Sequence, residues 1–333
     1  MKNRILMGTL LALAVCAAPA PGMTKEEEDA AWKKEPAYGR VINVGYNGGL
    51  CLGTLGIADI KGFYAEEGLK VNVVRMTNDV DAIGTGKVDV VGGHIAKFLV
   101  PTINGVRMKF TTGIHTGCKS LYVLNKSDIK TTKDLIGKYV VVPNGIGGSD
   151  QNIAMRFFSR DGIDPLKQIK WKVTDAGAGI LAMQKGEVSA ALLEDQFARR
   201  FLDDGTLRIV RSLTFDDDFK NEACCILAIN LDFYNENPIT AKKITRAHEK
   251  ASRWILDNIE ESVRLLLDHK WVAGDFDLVL SIQKTLNYGI SDKATEDTLR
   301  VIIHDYQSFG MIDPRLDADN ILKKIWNPVL TRE

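Results

Sequence analysis

Apolar positions along this chain switch repeatedly between a period of two and a period of three to four, the periods of strands and helices. Residues 40–46 (RVINVGY) alternate and run into Asn47-Gly48-Gly49, which predicts a strand and a turn. A helix is expected over 52–67, closed by Gly68, and a strand over 69–75. A short helix over 79–85 leads to a strand over 88–91 that stops at Gly92-Gly93-His94. A helix over 95–104, interrupted by Pro101, and a strand over 106–112 complete a β-α-β-α-β-α-β order. That order predicts a mostly parallel sheet with helices on both faces.

The pattern then starts again. Strands are expected over 120–125, 139–142, 169–173, 188–193 and 207–212. Between them come a capped turn at 132–135 and helices over 150–161, 178–185 and 194–203. One more strand, 223–230 (ACCILAIN), precedes a helical tail with segments 239–258, 259–269, 275–286, 293–309 and 318–327. The fold class is therefore α/β: two units of similar size followed by helices.

Composition narrows the function. The 333 residues suit two domains of ordinary size. Forty-three basic side chains balance 43 acidic ones, and the isoelectric point is about 7. That argues against a nucleic-acid partner or a polybasic membrane-surface protein. At the N-terminus, Lys2 and Arg4 precede an apolar run over 5–18 and the small residues Ala17-Ala18-Pro19-Ala20. Residues 1–20 read as a secretory signal peptide, with an uncleaved anchor as the alternative. Leu13-Ala14-Val15-Cys16 looks like a lipobox except at Val15, so a lipid anchor at Cys16 ranks below simple cleavage. Residues 21–39 are expected to be a tether, in which 24–36, rich in Glu and Lys, read as solvated or as a short helix. No later run reaches the length of a membrane span. The expected location is periplasmic or extracytoplasmic.

Four phrases carry a family resemblance. They are GIADIKGFYAEEGLKVNVV at 56–74, IGTGKVDVVGGH at 83–94, TTKDLIGKYVVVPNGIGGS at 131–149, and ILAMQKGEVSAALLED at 180–195 with Ser189 in place of the usual Asp. In this order and spacing they resemble a periplasmic substrate-binding protein of an ABC importer, nitrate/sulfonate/taurine type, a group similar also to binders of thiamine-pyrimidine precursors. The resemblance implies a two-lobed periplasmic binding protein fold of type II. Residues 40–117 with 226–333 form one lobe, residues 118–225 the other, and two crossovers act as a hinge. It also implies a monomer that captures a small anionic or zwitterionic solute and delivers it to a membrane permease and ATPase, without catalysis, cofactor or nucleic acid. The alternative is an enzyme on the same fold, resembling thiamine-pyrimidine synthases, that uses cysteine and histidine.

Candidate binding residues follow from the rule that such sheets bind ligands beyond the carboxyl ends of their strands. Asn47 and Gly49, Gly93 and His94, and Asn144 with Gly147, Gly148 and Ser149 sit at such ends. The last three open a helix whose N-terminus favours an anion. Glu194 follows a second-lobe strand, where it either complements a helix dipole or accepts a hydrogen bond from a ligand. No phosphate loop or dinucleotide motif is present.

Five cysteines are too few for a disulfide scaffold. Outside the leader they are Cys51, Cys118, Cys224 and Cys225, all mapping to the cleft or the hinge, as do His94 and His115. Three readings are open: small residues packed in hinge strands, a disulfide between Cys118 and Cys224 or Cys225, or a soft-ligand site for a thiophilic metal or metalloid. Alternation along a strand allows only one of Cys224 and Cys225 to face the cleft. His248, His269 and His304 read as surface or capping residues of the tail.

Overall fold

Runs rich in Val and Ile, bounded by glycines, form ten strands in the computed structural model, which describes residues 23–330. The leader and Cys16 lie outside the described residues. The strands are β1 (Val41–Tyr46), β2 (Lys70–Arg75), β3 (Val90–His94), β4 (Met108–Thr116), β5 (Lys119–Leu124), β6 (Tyr139–Val141), β7 (Lys170–Lys172), β8 (Ala190–Glu194), β9 (Leu207–Ser212) and β10 (Ala223–Asn230). They make two five-stranded sheets, β2-β1-β3-β10-β4 and β7-β6-β8-β5-β9.

The two sheets share one plan. β1, β2 and β3 run parallel, as do β6, β7 and β8. These are the alternating βα units legible in the sequence. Into each sheet a strand arriving from the other unit inserts antiparallel: β10 between β3 and β4, and β5 between β8 and β9. Each sheet is therefore mixed. All eight residues of β10 are buried, consistent with a central strand covered on both faces.

The first crossover is only two residues long, Gly117 and Cys118, both with positive φ (89° and 95°). The second runs from Ser212 to Ala223. The Cys118 N–H donates to Thr214 Oγ1 at 2.9 Å, so the two crossovers lie side by side. The largest apolar core continues from one sheet to the other and takes in all four described cysteines.

The lobes are held together by polar contacts as well. Buried Arg156, on the Ser149–Arg160 helix, pairs with Glu222 at 2.6 Å and with Asp305 of the tail at 2.7 Å. Asn152 Nδ2 donates to Ala96 O at 2.8 Å.

Two expectations change. The 23–39 stretch contains the short helix, one of its two readings, docked rather than solvated. Its helix Lys25–Trp32 lies on the tail helix Pro238–Asp257, through Glu28 to Arg246 (2.6 Å) and Trp32 Nε1 to Thr240 Oγ1 (3.0 Å). Glu35 then caps that tail helix, accepting from the Ile239 and Thr240 amides at 2.6 and 2.9 Å. His248 is buried and bonded to Thr54 at 3.2 Å rather than at the surface; it falls on the packed face of its helix. No helix among the described residues is long and apolar enough to cross a membrane.

Capping by Glu35 satisfies two buried amides that Glu35→Ala leaves without a partner. That substitution should cost roughly 1–3 kcal/mol in urea unfolding, and Glu35→Gln, which keeps an acceptor, less. An Ala variant as stable as the parent would contradict docking of this segment.

Candidate functional site

Strand pairing builds the site. On β10, Cys225 sits between His94 of β3 and His115 of β4, its partner in both registers. Residues paired laterally project from the same face, so one thiol lies between two imidazoles. Both histidines are in strands rather than in loops, because β3 continues through Gly92-Gly93-His94 and β4 continues to Thr116. Cys51 comes from the turn Leu50–Leu52 after β1, and Cys118 from the first crossover.

Cys224 overturns the alternation argument. The register of β10 against β4 shifts between Ala223 and Cys225, and again between Cys225 and Ile226. Such bulges insert an unpaired residue and re-aim its side chain. Cys224 Sγ therefore reaches Cys118 Sγ at 3.1 Å, and both neighbouring cysteines belong to one group.

Six donors converge as a result. In four overlapping triads the ligand atoms lie within 4.8 Å of one another: Cys51–His115–Cys225, Cys51–His94–Cys118, His94–Cys224–Cys225 and His115–Cys118–Cys224. Each residue belongs to two triads, so the donors surround one common volume. All six are buried, and the cysteines are free thiols. At 3.1 Å the Cys118–Cys224 pair is well beyond the roughly 2.05 Å of a disulfide bond.

The ionisation states are unequal. Burial, followed by the hydrogen bond to Cys224, pushes the Cys118 thiol up to about 12. The Cys51 thiol is raised first by its hydrogen bond with Cys118, and that of Cys225 is raised by burial and by hydrogen bonds to the other sulfurs. Burial also opposes ionisation of Cys224, but hydrogen bonds donated by the Cys118 and Cys225 thiols outweigh it and lower its pKa. The group thus favours one thiolate solvated by its neighbours.

The imidazoles are set as lone-pair donors. Burial, then the charge of Lys119, holds His94 well below the usual imidazole range, and its Nε2 lies 3.4 Å from Cys118 Sγ. His115 Nδ1 lies 2.8 Å from the Thr116 carbonyl. A carbonyl only accepts, so Nδ1 carries the proton and Nε2 the lone pair. Nε2 is buried without a well-formed hydrogen bond, beside the Cys51 thiol. Tyr288 backs this wall, with its ring 5.6 Å from His115 and its hydroxyl donating to Leu50 O at 2.8 Å.

Two cavities meet here. A small one of about 20 Å³ is walled by Cys51 and Cys118, by apolar Leu50, Ile282 and Leu286, and by Glu194 and Gln196 of the facing lobe. It has room for a single water-sized occupant. A larger one of about 550 Å³ opens outside it, between Gly48, Gly49 and residues 273–275 on one lobe and Glu194, Gln196, Phe197 and Arg200 on the other. Glu194 and Gln196 border both.

The remaining predicted residues play other parts. A Cβ on Gly93 would stand 2.2 Å from the Phe98 ring, so this glycine serves helix packing rather than ligand approach. Asn47 Oδ1 accepts from the Gly49 amide at 2.9 Å and shapes the rim of the outer cavity. The Asn144–Ser149 loop does not join the cysteine group, and its donors are used from within. The Asn144 amide bonds Asp150 Oδ2 at 2.7 Å, the Gly147 amide bonds Gln151 Oε1 at 2.7 Å, and Asn144 Nδ2 reaches Ser149 Oγ at 3.1 Å. Gly148 is the N-cap of the helix and lies too close to Asn144 O to carry a side chain. An anion at this helix end would meet the Asp150 carboxylate.

Sequence reasoning missed Lys119, which is buried and bonded to Asp150 at 2.6 Å and to Glu194 at 3.3 Å. Burial disfavours its charge, but the two carboxylates hold the amine protonated. A lysine inside an apolar strand, directly after Cys118, was the available signal.

A family model described as the NMT1-like family matches residues 36–266. The chain belongs to the NMT1-like family. Comparison with curated protein sequences gives no match. Among solved structures, this NMT1-like chain is similar to the alkanesulfonate-binding protein SsuA from Xanthomonas axonopodis pv. citri bound to MOPS. The identity is 14%, covering 88% of this chain and 99% of that one, with a TM-score of 0.69. It is similar to the periplasmic aliphatic sulphonate binding protein SsuA from Escherichia coli (17% identity, 88% and 94% coverage, TM-score 0.69). It is also similar to the periplasmic nitrate-binding protein NrtA from Synechocystis PCC 6803 (15% identity, 88% and 86% coverage, TM-score 0.70). At these identities the likeness establishes the periplasmic binding protein fold, in agreement with the resemblance read from the chain.

Cys118 adopts a backbone conformation that costs a side-chain-bearing residue about 1–3 kcal/mol. Cys118→Gly should therefore unfold at higher urea than Cys118→Ala, by roughly 1 kcal/mol. Equal stability of the two variants would show that the crossover relaxes without strain.

Proposed function

We propose that this NMT1-like protein is an exported solute-binding receptor, which captures a small solute between its lobes and delivers it to an ABC permease. The observation that carries this reading is the pair of adjoining cavities between the lobes, at the carboxyl ends of β1 and β8, where open α/β sheets bind ligands. The similar structures are of alkanesulfonate-binding and nitrate-binding proteins, whose ligands are small solutes. Two-residue and ten-residue crossovers lying side by side suit hinge closure.

An anionic or zwitterionic solute is best served by the outer cavity, where Arg200 stands with Glu194 and Asp275. The inner cavity has no cation to spare, since Lys119 is committed to Asp150. The alternative, an enzyme on this fold, draws on the same cysteines and histidines.

Native mass spectrometry of protein isolated from its host distinguishes the two. The receptor should carry one equivalent of a compound that is released unchanged on opening and rebinds saturably. Conversion of that compound by the purified protein would overturn the reading.

A further inference from the structure

We infer that Cys51, His94, His115, Cys118, Cys224 and Cys225 form a binding site for a single thiophilic d10 cation of the Zn²⁺, Cd²⁺ or Cu⁺ kind, exchangeable from the cleft. The inference concerns the inner cavity and is independent of the solute held in the outer one.

Donor chemistry gives the class of ion. Four sulfurs and two imidazoles are soft to borderline ligands, and among the described residues no carboxylate belongs to the group. Glu194, the nearest carboxylate at the cavity wall, is half-exposed and tied to Lys119. Calcium and magnesium demand oxygen ligands and do not fit.

Spacing gives the number of ions. Thiolates bound at about 2.3 Å stand roughly 3.8 Å apart around a tetrahedral centre and roughly 4.6 Å apart in a linear one. Triads no wider than 4.8 Å match one ion. The cavity of about 20 Å³, walled by Cys51 and Cys118, lies beside the group.

The second shell is in place. A metal-ligating histidine ordinarily donates its other ring N–H to a carbonyl or carboxylate, and His115 Nδ1 does so to Thr116 O, leaving the unpartnered Nε2 in the group. The Cys51 thiol lies beside that lone pair, and an ion in the group would be coordinated by both. Cys118 holds its sulfur in the group from the two-residue crossover, where both residues have positive φ. Because Cys51 and Cys118 also wall the small cavity, an ion there borders the interlobe cleft instead of being sealed in the core.

Binding would displace the thiol protons, one for each sulfur that ligates, while the imidazoles give lone pairs already free. No electron is transferred.

The test uses the full exported protein, reduced with a phosphine, freed of metal and kept without oxygen. Zn²⁺, Cd²⁺ and Cu⁺ are titrated separately against a chromophoric chelator, and thiolate-to-metal absorption is followed. The expected result is one equivalent of at least one of these ions, removable by excess chelator, with protection of the cysteines from alkylation. Cys118→Ser and His115→Gln should each weaken binding at least about 10-fold, the scale lost even when an outer-shell partner is removed. Circular dichroism of the metal-free variants checks that they fold. Retention of full affinity in both folded variants would overturn the site, as would the absence of any stoichiometric uptake by the parent protein. Two or more tightly bound equivalents would overturn the single-ion geometry.

Discussion

The cleft floor depends on one insertion: β10 returns from the second unit and lies antiparallel between β3 and β4. A strand with neighbours on both sides and helices on both faces must be apolar throughout, and ACCILAIN meets that condition with two cysteines among its aliphatic residues. The insertion fixes which residues lie side by side. Cys225 falls between two histidines that are 21 positions apart in the chain, and the bulge beside it brings Cys224 to the first crossover. Without that register the six donors would belong to four unrelated segments.

The same insertion explains why the hinge and the candidate site coincide. Among the described residues the chain passes between the lobes through the two crossovers, so the residues at their ends lie under the cleft. Cys118 occupies one crossover, Cys224 and Cys225 the end of the other, and Thr214 ties the two together. Lys119 continues the theme. Its buried pairing with Asp150 joins the first residue of β5 to the Ser149–Arg160 helix. Truncating one partner of such a pair leaves an uncompensated buried charge, so the contact specifies geometry more than it adds net stability.

Much of this was legible in the sequence. Alternating runs such as VINVGY and KVNVVR, with glycines at helix ends, gave the order of elements, because periodicity and turn chemistry are local properties. The position of the cysteines at cleft and hinge followed from that order together with the family resemblance. What the sequence did not show is non-local. The bulge in β10 depends on pairing with β4. The extension of β3 through two glycines depends on the partner strand, since isolated Gly-Gly reads as a stop. The donors of the Asn144–Ser149 loop looked free because Asp150 and Gln151, which consume them, act only once the helix has formed. The acidic 25–36 stretch looked solvated because its partners lie more than 200 residues away in the tail.

The account stands or falls on whether the six donors act as a coordination sphere. X-ray absorption at the metal edge of protein loaded with one equivalent of Zn²⁺ or Cu⁺ measures this directly. The account predicts a first shell containing sulfur at about 2.3 Å together with imidazole nitrogen. A shell made only of oxygen and nitrogen would contradict it, and would place the ion elsewhere on the protein.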